Sequence, residues 1–203
     1  MKRLVLKMIP ALICGMVFTS TLFLTSCAGW IQGNENIVSQ ERVASDFQGL
    51  TLSGVASVNV HLGEAYKVEV TADDNLQDFI SVESKNGVLY IASKDNKNFR
   101  MTKLIVDVHL PELQSINLTG VGSVTVSNGN ASNLQISLSG VGNIDAQNYQ
   151  VQNITIQNSG VGSAKVWATD SLSGTLSGIG DISYKGNPEV SIKVSGVGKV
   201  NKL

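Results

Sequence analysis

A tetrapeptide, Ser/Thr-Gly-Val/Ile-Gly, recurs five times in the second half of this chain. Its glycine pairs are Gly120 and Gly122, Gly140 and Gly142, Gly160 and Gly162, Gly178 and Gly180, and Gly196 and Gly198. Successive first glycines lie 20, 20, 18 and 18 residues apart. A weaker copy, Ser53-Gly54-Val55-Ala56, stands much earlier. Self-similarity at a period near twenty marks a stack of structural repeats, in which each unit covers the apolar face of the next.

Aligned on the first glycine, the units show fixed columns. Ile116 and Leu118, Ile136 and Leu138, Ile156 and Asn158, Gly174 and Leu176, and Ile192 and Val194 stand four and two positions before it. Asn117, Ser137, Gln157, Thr175 and Lys193 separate them, so apolar and polar residues alternate as in a strand with one buried face. After the glycines, Val124, Ile144, Ala164, Ile182 and Val200 form another inward column. Asn158 and Gly174 depart from the apolar pattern. Ser127-Asn128-Gly129-Asn130 and Lys185-Gly186-Asn187-Pro188 supply turn chemistry between units. Each unit therefore reads as strand, glycine corner, strand and polar corner. The expected fold is all-β, a right-handed parallel β-helix-like solenoid. An antiparallel β-sandwich or prism is the structural alternative. The Ser/Thr before each first glycine suits a hydroxyl ladder or the capping of backbone amides. These glycine pairs are not phosphate loops, because each leads into another strand and not into a helix.

The start of the chain reads as an address. Lys2, Arg3 and Lys7 precede an apolar run from Met8 to Leu24, and Leu24-Thr25-Ser26-Cys27 follows. This resembles the lipobox of bacterial lipoproteins. Residues 1–26 are thus expected to be a signal peptide and Cys27 an acylated N-terminus. A plain secretion signal and a retained span are the competing readings. The apolar run is interrupted by Pro10 and Gly15 and is short for a span of about 20 apolar residues. Ala28 after the cysteine points to the outer membrane of a two-membrane cell. Cys14 leaves with the signal, so Cys27 has no disulfide partner in the mature chain.

Loss of residues 1–26 removes three of 15 basic residues and no acid, leaving 12 against 16. No basic stripe appears, and nucleic acid is not an expected partner. Residues 27–45 read as a tether and 46–203 as one domain, with less regular strands over 46–117 and regular coils over 118–203. Trp30 suits either a lipid interface or a fold-back onto the domain. The strands expected in the irregular part are Leu50–Leu52, Val55–His61, Tyr66–Thr71, Ile80–Glu83, Val88–Ala92 and Leu104–Leu110, with a hairpin turn at Lys85-Asn86-Gly87 and an exposed loop over Lys94–Met101.

Several of these segments carry a family resemblance. Phe47 with Leu50-Thr51-Leu52-Ser53-Gly54-Val55, then Val68-Glu69-Val70 with Asp73 and Leu76, Gly87-Val88-Leu89-Tyr90-Ile91, and Leu110-Pro111-Glu112-Leu113 before the first full repeat resemble the GIN-domain family. That family is described as the head domain of auto-transporter adhesins, and the resemblance spans about Arg42 to Leu203. It implies a secreted β-helical domain and brings no catalytic residues.

The chemistry-bearing residues are sparse. His61 and His109 both fall in expected strands, without further ligands at metal-binding spacing. Asp73-Asp74 opens a polar turn. A glycosidase pair would have to face across a gap of about 5–10 Å, so the tests for catalysis are whether Asp73, Asp74, Asp145, Asp170 and Asp181 converge. Trp167, Tyr149 and Tyr184 are candidates for a sugar-binding face. No cofactor, metal or catalytic residue is assigned. The expected function is a non-catalytic envelope lipoprotein, adhesin-like or structural, at the cell surface or facing the periplasm. It would be held by lipid and would bind a glycan or an envelope or host protein. The alternatives are a carbohydrate-active enzyme on a β-helix and an envelope protein that self-associates through its solenoid ends.

The lipid assignment is tested directly. Cys27→Ser should abolish fatty-acid labelling and release the protein from membranes, both measurable by metabolic labelling and fractionation.

Overall fold

The computed structural model describes residues 30–63, 65–94 and 99–203. Cys27 and the expected signal lie outside them. Among the described residues, seventeen strands and one short 3₁₀ helix account for almost all regular structure, so the fold is all-β. In chain order the strands begin with β1 (Ile31–Gln32), β2 (Ile37–Arg42), β3 (Gly49–Leu52), β4 (Val55–Leu62) and β5 (Lys67–Asp73). After the 3₁₀ helix Asp74–Phe79 come β6 (Ile80–Lys85), β7 (Val88–Ser93), β8 (Phe99–Arg100) and β9 (Leu104–Leu110). The repeat region holds β10 (Ser115–Leu118), β11 (Val121–Val126), β12 (Gly129–Leu138), β13 (Val141–Asn158), β14 (Ala164–Leu176), β15 (Ile182–Lys185), β16 (Glu189–Val194) and β17 (Val200–Lys202).

The strands form two parallel columns. One runs β7–β3–β10–β12–β13–β14–β16, with Leu50, Ile116, Ile136, Ile156, Gly174 and Ile192 in one register row. The other runs β9–β4–β11–β13–β14–β15–β17, with Val58, Val124, Ile144, Ala164, Ile182 and Val200 in one row. β13 and β14 each pass from the second column round into the first, so the two columns belong to one continuous sheet. The rows are the inward columns expected from the repeat, and Leu50, Ile116, Val124, Ile136 and Ile144 are buried.

Ser53-Gly54-Val55-Ala56 pairs in parallel with the first full motif, Val55 opposite Val121 and Ala56 opposite Gly122. Strands β3 and β4 therefore lie inside the sheet, each paired on both sides by strands that come later in sequence. Residues 63–114 leave this unit, build β5, β6, β7 and β9, and return on its other side. β7 and β9 form the rung beyond β3–β4, and antiparallel β6, β5 and β2 cover that end. Part of the segment expected as a tether is thus in the sheet: β2 pairs residue by residue with β5, from Ile37 opposite Asp73 to Arg42 opposite Val68. Its signal is weak because only Val38 and Arg42 of the six residues are shielded from solvent. The expected strands of the irregular part and the turn at Asn86-Gly87, both with positive φ, are otherwise observed within two residues at each end.

The two glycines of each corner serve different needs. At Gly140 a Cβ would lie 2.0 Å from the carbonyl oxygen of Gly120 on the neighbouring rung. At Gly162 it would lie 1.6 Å from the Gly142 oxygen, and the φ of +146° is one that side chains rarely adopt. The rungs touch backbone to backbone here: Ser139 and Gly140 both donate their amides to the Leu118 oxygen, and Val141 donates to Gly120. The preceding hydroxyls neither ladder nor cap amides. Thr119 Oγ1 donates to the Leu52 oxygen at 3.3 Å and Ser177 Oγ to the Asn158 oxygen at 3.5 Å. The ladder lies after the corner. Ser163 donates its amide to Asn143 Oδ1, Asp181 to Ser163 Oγ, and Lys199 to Asp181 Oδ1.

The change of period from 20 to 18 is absorbed at one place. Ala146 pairs with Val166, but Gln150 pairs with Trp167 and Asn153 with Ser171. The residues are lost at the second, polar corner, while the glycine corner keeps its register. In the buried row, Asn158 donates its Nδ2 to the Gly162 oxygen at 2.8 Å, and its Oδ1 has no partner.

Gly162→Ala should lower stability by roughly 4 kcal/mol or more, because neither the clash nor the φ can relax without parting two rungs. Gly63→Ala, where a Cβ meets nothing within 4 Å, should leave the urea midpoint nearly unchanged.

Candidate functional site

The second corner carries a groove of about 560 Å³, lined by Pro111, Glu112, Asn130, Ala131, Ser132, Gln150, Gln152 and Thr169. Its position follows from the register. The pairing of β13 with β14 shifts here, between Ala146 and Gln150 and between Val151 and Asn153. Tyr149, next to Gln150 in the chain, anchors this corner to the core. It is fully buried, donates its hydroxyl to the Leu113 oxygen at 2.9 Å and accepts the Leu113 amide at 3.3 Å. Burial pushes its phenol above the usual range, and the Leu113 hydrogen bond pulls the other way. The polar groove side chains are amides and hydroxyls with one carboxylate, Glu112, beside the apolar Pro111 and Ala131. Such a lining offers paired donors and acceptors to hydroxyl-bearing ligands and no nucleophile–base pair.

The aromatic face expected from sequence is not assembled. Tyr149 is a core residue, so it cannot stack on a sugar. Trp167 lies beneath the Lys185 ammonium, 5.9 Å from its ring centre. Tyr184 is half-buried against the core.

His61 and His109 are register partners on β4 and β9 and stack with ring centres 4.7 Å apart. His61 Nε2 lies 3.5 Å from Asp107 Oδ1. Among the described residues, no group of three or more His, Cys, Asp or Glu is placed to hold a metal.

The five aspartates have separate duties. Asp73 is buried and accepts the amides of Glu35 and Thr102, each at 2.8 Å. It thereby ties the segment around Glu35 and the segment around Thr102 to the end of β5. Burial pushes its carboxyl up, but the hydrogen bonds from Thr102 and Glu35 outweigh that and hold it below the ordinary 3.8. Asp74 accepts from Asn36 and Asn34, which lower it as well. Asp145 accepts from Gln147, Asp170 from Thr169, and Asp181 from the Lys199 amide. They do not converge on one face. All ten motif glycines sit at the rung-to-rung contact.

Sequence reading missed two surfaces. One is the groove, whose signal was the loss of two residues per unit after Ser159. The other is the middle residue of each motif. Val55, Val121, Val141, Val161, Ile179 and Val197 stand in one register row, each about half exposed or more.

The fold is all-β, with an amide-lined surface groove and dispersed, hydrogen-bonded carboxylates. The family described as "Putative auto-transporter adhesin, head GIN domain" matches residues 46–128 and 120–188, and the chain belongs to that family. A solved Bacteroides fragilis protein described as a "putative adhesin" shares the fold, with a TM-score of 0.59 and 23% identity over 85% of this chain and 100% of that one. A Parabacteroides distasonis protein described as a "Putative lipid binding protein" aligns with a TM-score of 0.45 and 24% identity over 86% of this chain and 100% of that one. No curated protein matches the chain.

Asp73 yields a pH prediction. Its folded pKa is depressed, so its contribution to stability is present above the unfolded pKa and lost as pH falls through the folded one. Asp73→Asn should lower the urea midpoint by an amount that is constant between pH 7 and 5. The gap to the wild type should narrow below about pH 4.

Proposed function

We propose that this protein is a non-catalytic, lipid-anchored binding module of the cell envelope, built on a right-handed parallel β-helix, whose second-corner groove binds a glycan. The observation that carries the reading is the groove lining. Asn130, Gln150 and Gln152 present amides, and Ser132 and Thr169 present hydroxyls, in one cavity across neighbouring rungs. Sugar hydroxyls are both donors and acceptors, and the amide side chain is their matching partner. The parallel ladders support the β-helix, since residues 18 to 20 apart are register partners through five successive rungs. Family membership supports the adhesin-like role. The lipobox around Cys27 supports the anchor and, with Ala28, an outer-membrane address.

Glycan arrays probed with the purified protein should show selective binding. Gln150→Ala with Gln152→Ala should weaken it roughly tenfold to a hundredfold, the loss of two or so hydrogen bonds. Tyr184→Phe, away from the groove, should bind as the wild type does. Retained affinity in the double variant, or depolymerisation of a bound polysaccharide, would overturn this assignment.

A further inference from the structure

We propose that the protein lies along a lipid surface on its glycine corner, with the valine row as the contacting edge and the groove turned away. Backbone packing explains the glycines of each motif, but it does not explain the residue between them. Val55, Val121, Val141 and Val161 are 47 to 54% exposed and project from a strip that has no other side chains of size. Parallel rungs repeat at about 4.8 Å, so the row is a straight apolar edge.

Three observations select a lipid surface as the occupant. First, the edge begins at a second apolar feature. Trp30, Phe99 and Met101 share a shallow cavity of about 470 Å³ with Val55 and Val121. Trp30 is 60% exposed, and the Arg100 guanidinium lies 5.8 Å from its ring centre. An indole beside a cation is the residue pair favoured at a bilayer interface. Lys94, Arg100 and Lys103 make this end basic, which complements anionic headgroups. Second, Cys27 is three residues from Trp30, a reach of at most about 11 Å. An acyl chain there holds this end of the edge at the bilayer; this step rests on the anchor proposed above. Third, no charged residue occurs in 49–60, 115–124, 135–144 or 153–164, the segments that carry Val55, Val121, Val141 and Val161 and their flanks; Asp181, Lys193 and Lys199 appear only beside Ile179 and Val197 at the far end. Laying those four positions on lipid desolvates no charge of their own segments. A second copy fits less well. Four to six half-exposed valine and isoleucine side chains amount to roughly a few hundred Å², below the roughly 800 Å² per partner of a specific dimer.

The two corners of a unit are its opposite edges, joined by the two strand columns. Contact through the glycine corner therefore presents the groove outward.

The test uses the full chain in a Cys14→Ala background, reconstituted in phosphatidylethanolamine–phosphatidylglycerol vesicles with and without doxyl-labelled lipid. Val121→Cys, Val161→Cys and Asn128→Cys are each labelled with an environment-sensitive fluorophore. The expected result is a blue shift and doxyl quenching at 121 and 161, neither at 128, and loss of quenching at 161 when Val141→Asp is added. Absence of quenching at 161, with or without quenching at 121, overturns the proposal. So does a blue shift that lipid does not quench but that grows with protein density, the sign of a second copy. The anchor is read separately: the Cys14→Ala chain without an added cysteine takes up label only if Cys27 is free. If it does, the anchor fails, and the same probes in a Cys27→Ser background still decide whether the edge meets lipid.

Discussion

The structure depends on backbone meeting backbone at the glycine corner. Each first glycine packs against the carbonyl of the glycine one rung away, at a distance no Cβ could occupy. The approach lets one leucine carbonyl accept two amides, as Leu118 does from Ser139 and Gly140. It also fixes the register of both strand columns at once, because one corner leads into each. Everything inward follows. With the corner in register, Ile116, Ile136 and Ile156 must stack, and so must Val124, Ile144 and Ala164. A parallel stack buries one face of each strand only when successive units agree in phase. The glycines enforce the phase; the aliphatic columns supply the apolar burial that stabilises it.

Such a stack has two ends, each a row of unpaired backbone groups. The early end is covered by an excursion of the chain. Residues 63–114 leave the β3–β4 unit and add the β7–β9 rung beneath it. They close it with strands that run against the column, β6 on β7 and β5 on β9. Antiparallel closure stops the stack from propagating, since the next rung would need the opposite direction. Asp73 fastens this cap through the Glu35 and Thr102 amides. At the other end, among the described residues, β16 and β17 each pair on one side only. Charge increases there: Lys193, Lys199 and Lys202 fall in or beside the last two strands. Lys199 also ends the side-chain ladder, because an ammonium cannot accept the amide of a further rung.

The sequence was most legible where the repeat imposed a column. The inward rows, the paired glycines and the strands of residues 49–110 follow from alternation and turn residues. Three things resisted for identifiable reasons. The order of rungs is not the order of residues, and periodicity carries no sign of the excursion that puts β3–β4 inside the stack. β2 hides in a polar segment, since an edge strand with one pairing side needs little apolar alternation. Asn158 reads as a defect in an apolar row, yet its amide serves the Gly162 carbonyl inside the corner, a contact that depends on backbone direction. The groove was illegible from residue types alone, because Asn, Gln, Ser and Thr are spread through all outward columns. Tyr149 was misread for the related reason that a tyrosine near a corner may point either way, and Leu113 gives its hydroxyl a partner inside.

The two corners of each unit divide the work by how tightly they are constrained. At the glycine corner one added atom collides with the neighbouring rung, so length and conformation cannot vary. The period change from 20 to 18 residues passes through it without a shift, as the unbroken row Val121, Val141, Val161, Ile179 and Val197 shows. At the second corner the register slips between Ala146 and Gln150 and again before Asn153. Residues are gained or lost there with only local consequences, because loop length changes stability slowly. The groove lies beside these shifts, lined by residues of β12, β13 and β14. Binding surfaces can diversify only where the scaffold tolerates change in length and side chain. Here the tolerant corner is the polar one, and the rigid corner leaves outward only the Ser or Thr before its first glycine and the valine or isoleucine between the two.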